Sequence, residues 1–348
     1  MEILYKSVRM IDYDNQRVIA RTVPDSFNDY VNDLIEYISH NLTIRKYHTT
    51  SNQTEVINCI RTISANVKNA KVVTEQTNII AQRLVSKEAD AQERMKAMKV
   101  RVQKGSLIQA LFIEEDTNST KYLLAKVEHT DFIDDEDFLF KSGFSKDKRT
   151  IWKTCLFDIS NLDAVEFSAK VYSPTNAQYW HNTFLELVEY NDDKTNTLRA
   201  FSAIDSSLSQ SIRKTSPRDY LLIRNDFIGY FRMHEIIEYP EIINTVLSGR
   251  DLSDLSQEGL TALAKRLNDL PEQKQFDRQF NTIPNAITAR MRKKVYQVNN
   301  GIELTIADSI DNLKNLISAE RDENGNDYLK IITNKENIIR TFKNIEKE

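Results

Sequence analysis

The 348-residue chain has few of the residues on which most recognisable active sites depend, since it contains only 7 glycines, 2 cysteines and 5 histidines. It has no phosphate-binding loop of the G-x-x-x-x-G-K-[ST] or G-x-G-x-x-G type, no G-x-S-x-G elbow and no H-E-x-x-H helix. The histidines share no metal-ligand spacing, and neither cysteine lies near enough in sequence to complete a tetrahedral zinc site. We therefore predict a protein that is not an enzyme and that uses no cofactor or metal ion.

Long apolar runs are also missing. No run approaches the roughly 18 residues that a membrane span requires. Residues 1–6 show neither the basic nor the apolar region of a secretion signal. Cys59 and Cys155 are far apart in apolar surroundings, which is typical of buried free thiols in a reducing compartment. We expect a cytoplasmic protein without membrane insertion.

Two apolar runs, Ser106–Glu115 and Lys121–Glu128, flank a short polar stretch and predict an antiparallel hairpin. Each run contains consecutive apolar residues, such as Leu107-Ile108, which indicates strands that are covered on both faces. Helical periodicity appears before the hairpin, from residue 27 and again over about residues 54–104. We predict an α+β fold, in which an N-terminal helical region packs on a hairpin-centred antiparallel sheet and a small α+β segment follows. The expected domains are residues 1–240 and 241–348.

The formal net charge is −4, so any affinity for a polyanion must come from a local concentration of positive charge. Two basic segments contain no acidic residue. Their cations are Arg94, Lys96, Lys99, Arg101 and Lys104 in the first segment, and Arg290, Arg292, Lys293 and Lys294 in the second. Such runs also occur as solvated helix faces. Phosphate contacts need no particular motif, however, so these nine residues are the candidate DNA-binding set.

A cluster of acids follows the hairpin, in residues 128–137. Its six acidic residues lack the spacing of an EF-hand loop, so we interpret it as a solvated loop that can serve a protein partner. Two acid-x-Lys triplets, which begin at Asp192 and Glu272, leave a metal-dependent nuclease open as a less favoured hypothesis. The first triplet lies in a polar loop and the second in helical sequence next to Pro271.

The order of several short segments resembles a known family. The segments are Lys104–Phe112 (KGSLIQALF), Lys121–Val127 (KYLLAKV), Gln178–Leu185 (QYWHNTFL) and Gly301–Ile306 (GIELTI). This layout is similar to that of the bacterial nucleoid-associated protein family, the thirty-seven-kilodalton, NdpA-like group. The resemblance implies a cytoplasmic, nucleoid-associated DNA-binding protein, and it supplies no catalytic residues.

Two main hypotheses therefore stand at this point. The first is a sequence-tolerant, double-stranded DNA-binding protein of the bacterial nucleoid that acts through the two basic segments. The second is a component of a phage-defence system that works through protein–protein contact with DNA or a DNA-bound partner, because opposed charge patches favour docking. The long helical region also allows a homodimer.

Overall fold

The computed structural model describes residues 1–40, 44–95, 105–133, 136–144, 151–173 and 178–342. The chain divides into two compact units, Met1–Asp192 (unit 1) and Asp193–Glu348 (unit 2). The predicted α+β class is confirmed, because helices accompany a nine-stranded antiparallel sheet. The division falls earlier than the expected boundary after residue 240. Ile237 and Ile242, on either side of that position, belong to one hydrophobic core.

Unit 1 is built around the nine-stranded sheet. Its strands are β1 (Glu2–Asp12), β2 (Arg17–Arg21), β3 (Arg45–Thr49), β4 (Gly105–Glu114), β5 (Ser119–Ile133), β6 (Phe140–Phe144), β7 (Ile151–Asp158), β8 (Ser168–Tyr172) and β9 (Leu187–Glu189). They follow the order β2-β1-β4-β5-β7-β8-β3-β9, and β6 pairs with the far end of β5. The helices are α1 (Phe27–His40), α2 (Glu55–Ala65) and α3 (Ala70–Met95), with a π-helical turn at Tyr179–Phe184.

The predicted hairpin is the centre of this sheet. Strands β4 and β5 pair in antiparallel register from Gly105 opposite Glu128 to Glu114 opposite Ser119. Alternate side chains of both strands enter two separate cores. Leu107 and Leu124 contribute to the core beneath α2 and α3, whereas Ile108 contributes to the core beneath α1. Burial on both faces explains why neither strand shows a clean apolar–polar alternation.

Gly105 opens β4 at a point where two strands approach closely. A Cβ atom at this position would lie 2.3 Å from the backbone oxygen of Val127, well inside van der Waals contact. Because the obstructing atom is backbone, the neighbouring strand cannot move aside without disrupting its pairing. Glycine is therefore required at this position by the sheet itself.

The helical stretch predicted over residues 54–104 is two helices in the part that the structure describes. Helix α2 buries Ile57, Ile60 and Ile63 on one face, as its periodicity predicts. It ends at Ala65, and α3 begins at Ala70 and runs for 26 residues. Residues 96–104 lie outside the described residues.

Unit 2 is a helical body followed by two small hairpins. Its elements are α4 (Asp193–Ser211), α5 (Pro217–Met233), β10 (Ile236–Glu238), α6 (Tyr239–Leu247), α7 (Gln257–Asn268), α8 (Leu270–Lys274), β11 (Gln279–Asn281), a 3-10 turn (Pro284–Ala286), α9 (Ala289–Arg292), β12 (Lys294–Asn299), β13 (Ile302–Ile306), α10 (Leu313–Leu316), β14 (Ile317–Arg321), β15 (Asp327–Ile331) and α11 (Glu336–Phe342). Turns at residues 299–301 and 322–326 connect the strands of these hairpins.

Local sequence signals account for the starts of two helices in unit 2. The Ser256 side chain accepts a hydrogen bond from the backbone N–H of Gly259, which caps α7. Pro217 occupies the first turn of α5, where a missing N–H costs nothing. Among the described residues, no helix combines the length and hydropathy that crossing a membrane requires.

Candidate nucleic-acid interface

The structure gives a position for only part of the first basic segment. Arg94 is exposed in the last turn of α3. Lys96, Lys99, Arg101 and Lys104 lie outside the described residues. Arg94 complements the helix dipole at this end of α3, which is the ordinary structural use of such a residue. The role of this segment in binding DNA stays a prediction.

The second basic segment is described in full, and its four cations fall into two pairs. Arg290 on α9 and Lys293 just after it are exposed. Arg292 and Lys294 are partly buried and lie against carboxylates of unit 2. The sequence alone does not distinguish the four residues. In the fold, two of them face solvent and two are partly buried.

A buried arginine attaches this segment to α5. Arg224 donates hydrogen bonds from its two terminal nitrogens to the backbone oxygens of Arg292, at 2.8 Å, and Met291, at 2.7 Å. Its Nε lies 2.5 Å from Oδ1 of Asp205 on α4. Only 5% of the Arg224 side chain is exposed, so every donor that it buries needs a partner. One guanidinium thus fixes α4, α5 and the basic segment together.

Asp308 makes a second attachment. One of its oxygens, Oδ2, lies 3.1 Å from Nε of Arg292 and 3.0 Å from a terminal nitrogen of Arg232 on α5. Arg292 also donates to the backbone oxygen of Ile287. Asp308 therefore pairs with two arginines at once and ties the basic segment to the end of α5.

Lys294 shares the carboxylate of Asp205 with Arg224. Its Nζ lies 3.8 Å from Oδ2 of Asp205. Burial lowers the pKa of Lys294, and the nearby positive charges of Arg224 and Arg213 lower it further, while Asp205 opposes both. The positive charge of Arg213, which is exposed just after the end of α4, therefore also acts on Lys294.

We define the basic cluster by what these residues share, which is a place around two carboxylates. Arg224, Arg232, Arg292 and Lys294 pair with Asp205 or Asp308, and Arg213 is the fifth member because its charge acts on Lys294. Five cations against two anions leave a local excess of positive charge. Exposed Arg290 and Lys293 lie in the same short segment and add to that excess.

Sequence reasoning missed Arg213, Arg224 and Arg232, because they belong to a part of the chain distant from residues 290–294. One signal was available for Arg224. It lies in α5 one turn before Phe227 and Ile228, which are both buried. A cation on an aromatic, apolar helix face must have a partner, so its position predicts a buried attachment point.

In the acidic stretch, residues 128–133 form the end of β5, and residues 136 and 137 lie in a turn. Asp131 and Glu136 are exposed, and Asp134 and Asp135 lie outside the described residues. Three large apolar side chains beside them are also exposed: Ile133 by 57%, Phe138 by 77% and Leu139 by 61%. The described residues contain no group of three or more side chains arranged to hold a metal ion.

The carboxylates considered for a nuclease have structural partners. Asp193, in the first triplet, accepts hydrogen bonds from the backbone and side-chain nitrogens of Asn281 at 3.0 and 2.8 Å. Glu272, in the second, pairs with Arg278 at 2.6 Å. Both arrangements fix loops of unit 2. No protein-family model matches the chain, and a search of curated proteins finds no significant match.

Proposed function

We propose that the protein is a non-enzymatic, sequence-tolerant double-stranded DNA-binding protein of the bacterial nucleoid. The observation that supports the proposal is the basic cluster, in which four cations pair with two carboxylates and Arg213 adds a fifth positive charge. Arginine and lysine bind phosphate through charge and hydrogen bonds, and counterion release supplies affinity without any reading of the bases. A net charge of −4 does not oppose this, because binding follows the local field.

The cluster and the two exposed cations of its segment, Arg290 and Lys293, have two different roles. Arg224, Arg232 and Arg292 hold the segment in place through Asp205, Asp308 and backbone oxygens. Arg213, Arg290 and Lys293 are exposed, so they are the groups that reach phosphates. The first set fixes the position of the second. Since α9 is a single turn, it offers no long helix for the major groove, which fits sequence tolerance.

The test is a salt series with a random-sequence DNA duplex, comparing the wild-type protein with an Arg213→Ala, Arg290→Ala, Lys293→Ala variant. We expect the wild-type affinity to fall steeply with salt. The slope of log affinity against log salt should be smaller in the variant by about 0.9 for each phosphate that it no longer neutralises. Magnesium is present in one arm only, and the recovered DNA is expected to be intact in both arms.

The matched control replaces three exposed lysines outside the cluster, Lys68, Lys71 and Lys265, by alanine. It changes the net charge by the same amount, so it should lower affinity much less. An unchanged slope in the first variant, or equal slopes in both variants, would show that the basic cluster does not bind DNA. DNA cleaved only in the magnesium arm would favour the nuclease instead.

The first basic segment is a separate candidate for contact with DNA. Replacing Arg94, Lys96, Lys99, Arg101 and Lys104 by alanine is expected to lower the salt slope independently of the unit 2 variant. Charges that bind separate phosphates contribute additively to the slope. If this five-residue variant keeps the wild-type salt slope, the first basic segment does not bind DNA. The basic cluster would then be the remaining candidate.

A second candidate function is protein–protein contact within a phage-defence system. The observation in its favour is the exposed apolar group of Ile133, Phe138 and Leu139 beside exposed Asp131 and Glu136. Apolar anchors rimmed by charge are typical of docking surfaces. A partner that stays bound at salt concentrations that abolish DNA binding, and that a Phe138→Ser, Leu139→Ser variant fails to bind, would support this function. Retention of the partner by that variant would contradict it.

A further inference from the structure

A cleft of about 970 Å³ lies at one end of the unit 1 sheet, and Asp131 of the acidic stretch is among its lining residues. Its walls come from β1, the loop that leads into α1, and the paired ends of β4, β5 and β6. The volume is at the upper end of the range of roughly 300–1,000 Å³ found for small-molecule sites. The lining residues that the structure describes all belong to unit 1.

One side of the cleft is aromatic. Phe27 and Phe144 line it, and their ring centroids are 5.7 Å apart. Tyr30 stacks on Phe27 at 5.0 Å and supports it from behind. Lys6 donates hydrogen bonds to the backbone oxygen of Pro24 and to Asn28, which fixes the loop that carries Phe27. The aromatic wall is thus held in position before any ligand arrives.

Polar groups lie next to this wall, since the His129 ring packs edge-on against Phe144 with ring centroids 5.3 Å apart. Ser106 Oγ and His129 Nε2 are hydrogen-bonded at 2.8 Å. Burial, followed by the charge of Arg21, lowers the pKa of His129, so the imidazole is neutral near pH 7. A hydroxyl can donate or accept, and the neutral ring can therefore present either a donor or an acceptor.

Arg21 and Asp131 complete the lining as exposed charges. The other carboxylate of the cleft, Asp12, differs from them because it is already bound by Arg17 at 2.8 Å and by Asn15. Arg21 is thus a cation for an anionic group, and Asp131 is an acceptor for an amino group.

We infer that this cleft binds a nucleotide, with its base against Phe27 and Phe144 and its phosphate on Arg21. A base offers a flat aromatic face, and its edge carries the mixed donors and acceptors that His129, Ser106 and Asp131 satisfy. The inference uses residues of unit 1 alone, so it does not depend on the DNA-binding proposal for the basic cluster of unit 2.

The test is calorimetric titration of the full-length protein with the four nucleoside 5′-monophosphates, the matching nucleosides and inorganic phosphate. We expect at least one monophosphate to bind and its nucleoside to bind about tenfold more weakly, because the nucleoside lacks the charge-assisted hydrogen bond to Arg21. Inorganic phosphate alone should give no measurable heat. No binding of any monophosphate at millimolar concentration would overturn the inference.

Variants locate the ligand within the cleft. Arg21→Gln should reduce monophosphate affinity about tenfold and leave nucleoside affinity unchanged, whereas His129→Gln should change the preference among bases. Lys71→Gln, on the exposed start of α3, is the charge-matched control and should bind like the wild type. Thermal unfolding of each variant separates loss of binding from loss of fold. If both cleft variants bind nucleotide like the wild type, the ligand lies elsewhere and the assignment of the cleft is wrong. This outcome is independent of the affinity for duplex DNA, which tests the basic cluster.

Discussion

The two units place charged side chains in opposite ways. In unit 1, Glu88 of α3 and Lys126 of β5 form an ion pair between helix and sheet, and the two side chains are 0% and 1% exposed. Lys153 lies directly opposite Lys126 on β7. Tyr179 donates a hydrogen bond to Glu88 at 3.3 Å, and its ring lies 5.3 Å from Nζ of Lys153. Burial, and then the charge of Lys126, lower the pKa of Lys153 to about 8.

In unit 2 the basic cluster combines the buried Arg224 with charges that lie nearer the surface, and its charges are not balanced. Arg232 is 49% exposed, Asp308 is 30% exposed, and the cations of the cluster outnumber its carboxylates. Desolvation explains the contrast. A charge removed from water requires a matched partner, whereas a charge at the surface can remain unmatched at little cost. Balanced buried charge therefore indicates a role in the fold, and unbalanced exposed charge is available to a ligand.

The largest effect that this comparison predicts is at Glu88. Replacing it by alanine leaves Lys126 buried without its carboxylate, so we expect the free energy of unfolding to fall by about 3–5 kcal/mol. Denaturant unfolding measures the change. Glu75→Ala, at an exposed site on the same helix, is the control and should stay within about 0.5 kcal/mol of the wild type.

A double replacement sharpens the result. Glu88→Met combined with Lys126→Met removes both charges and fills similar volume, so it should recover most of the stability that either single replacement removes. If the decrease in unfolding free energy of the double variant equals the sum of the decreases of the two single variants, the two side chains act independently. The pair would then be no more than an incidental contact.

The next effect separates two arginines of the basic cluster. Arg224→Ala leaves Asp205 and two backbone oxygens without their donor, so we expect a decrease of about 2–3 kcal/mol in unfolding free energy. Arg213→Ala removes an exposed side chain and should change stability by less than about 0.5 kcal/mol while weakening DNA binding. Equal decreases in stability would show that Arg213 also holds the fold, and the division of roles proposed for the cluster would fail.

The sequence predicts the fold better than it predicts the site. The hairpin and the helices α1, α2 and α7 follow from patterns within about ten to twenty residues, because periodicity and turn residues act locally. The basic cluster joins residues 205, 213, 224, 232 and 308 to residues 292 and 294, and no local pattern connects them. Segment 290–294 was found from its charge. Which of its cations face solvent depends on Asp205 and Asp308, whose positions only the tertiary structure supplies.

The smallest effect concerns Glu128, which lies on β5 beside the buried lysines and is half-buried. Burial raises its pKa to about 7, although Lys126 and Lys153 oppose the rise. A carboxyl whose folded pKa exceeds its unfolded value of about 4.5 contributes stability that is complete below pH 4.5 and disappears as the pH rises through 7. Glu128→Gln stays neutral throughout this range.

The Glu128→Gln variant should therefore gain stability relative to the wild type between about pH 4.5 and 7, and the difference should level off above about pH 7. Because the side chain is partly solvated, we expect a gain below about 1 kcal/mol. Unfolding of both proteins at half-unit pH steps measures it, with Glu75→Gln as the control for an exposed carboxylate. A difference that does not vary with pH would mean that Glu128 is solvated like Glu75. Burial would then require a matched opposite charge at Glu88 and Lys126 but not at Glu128.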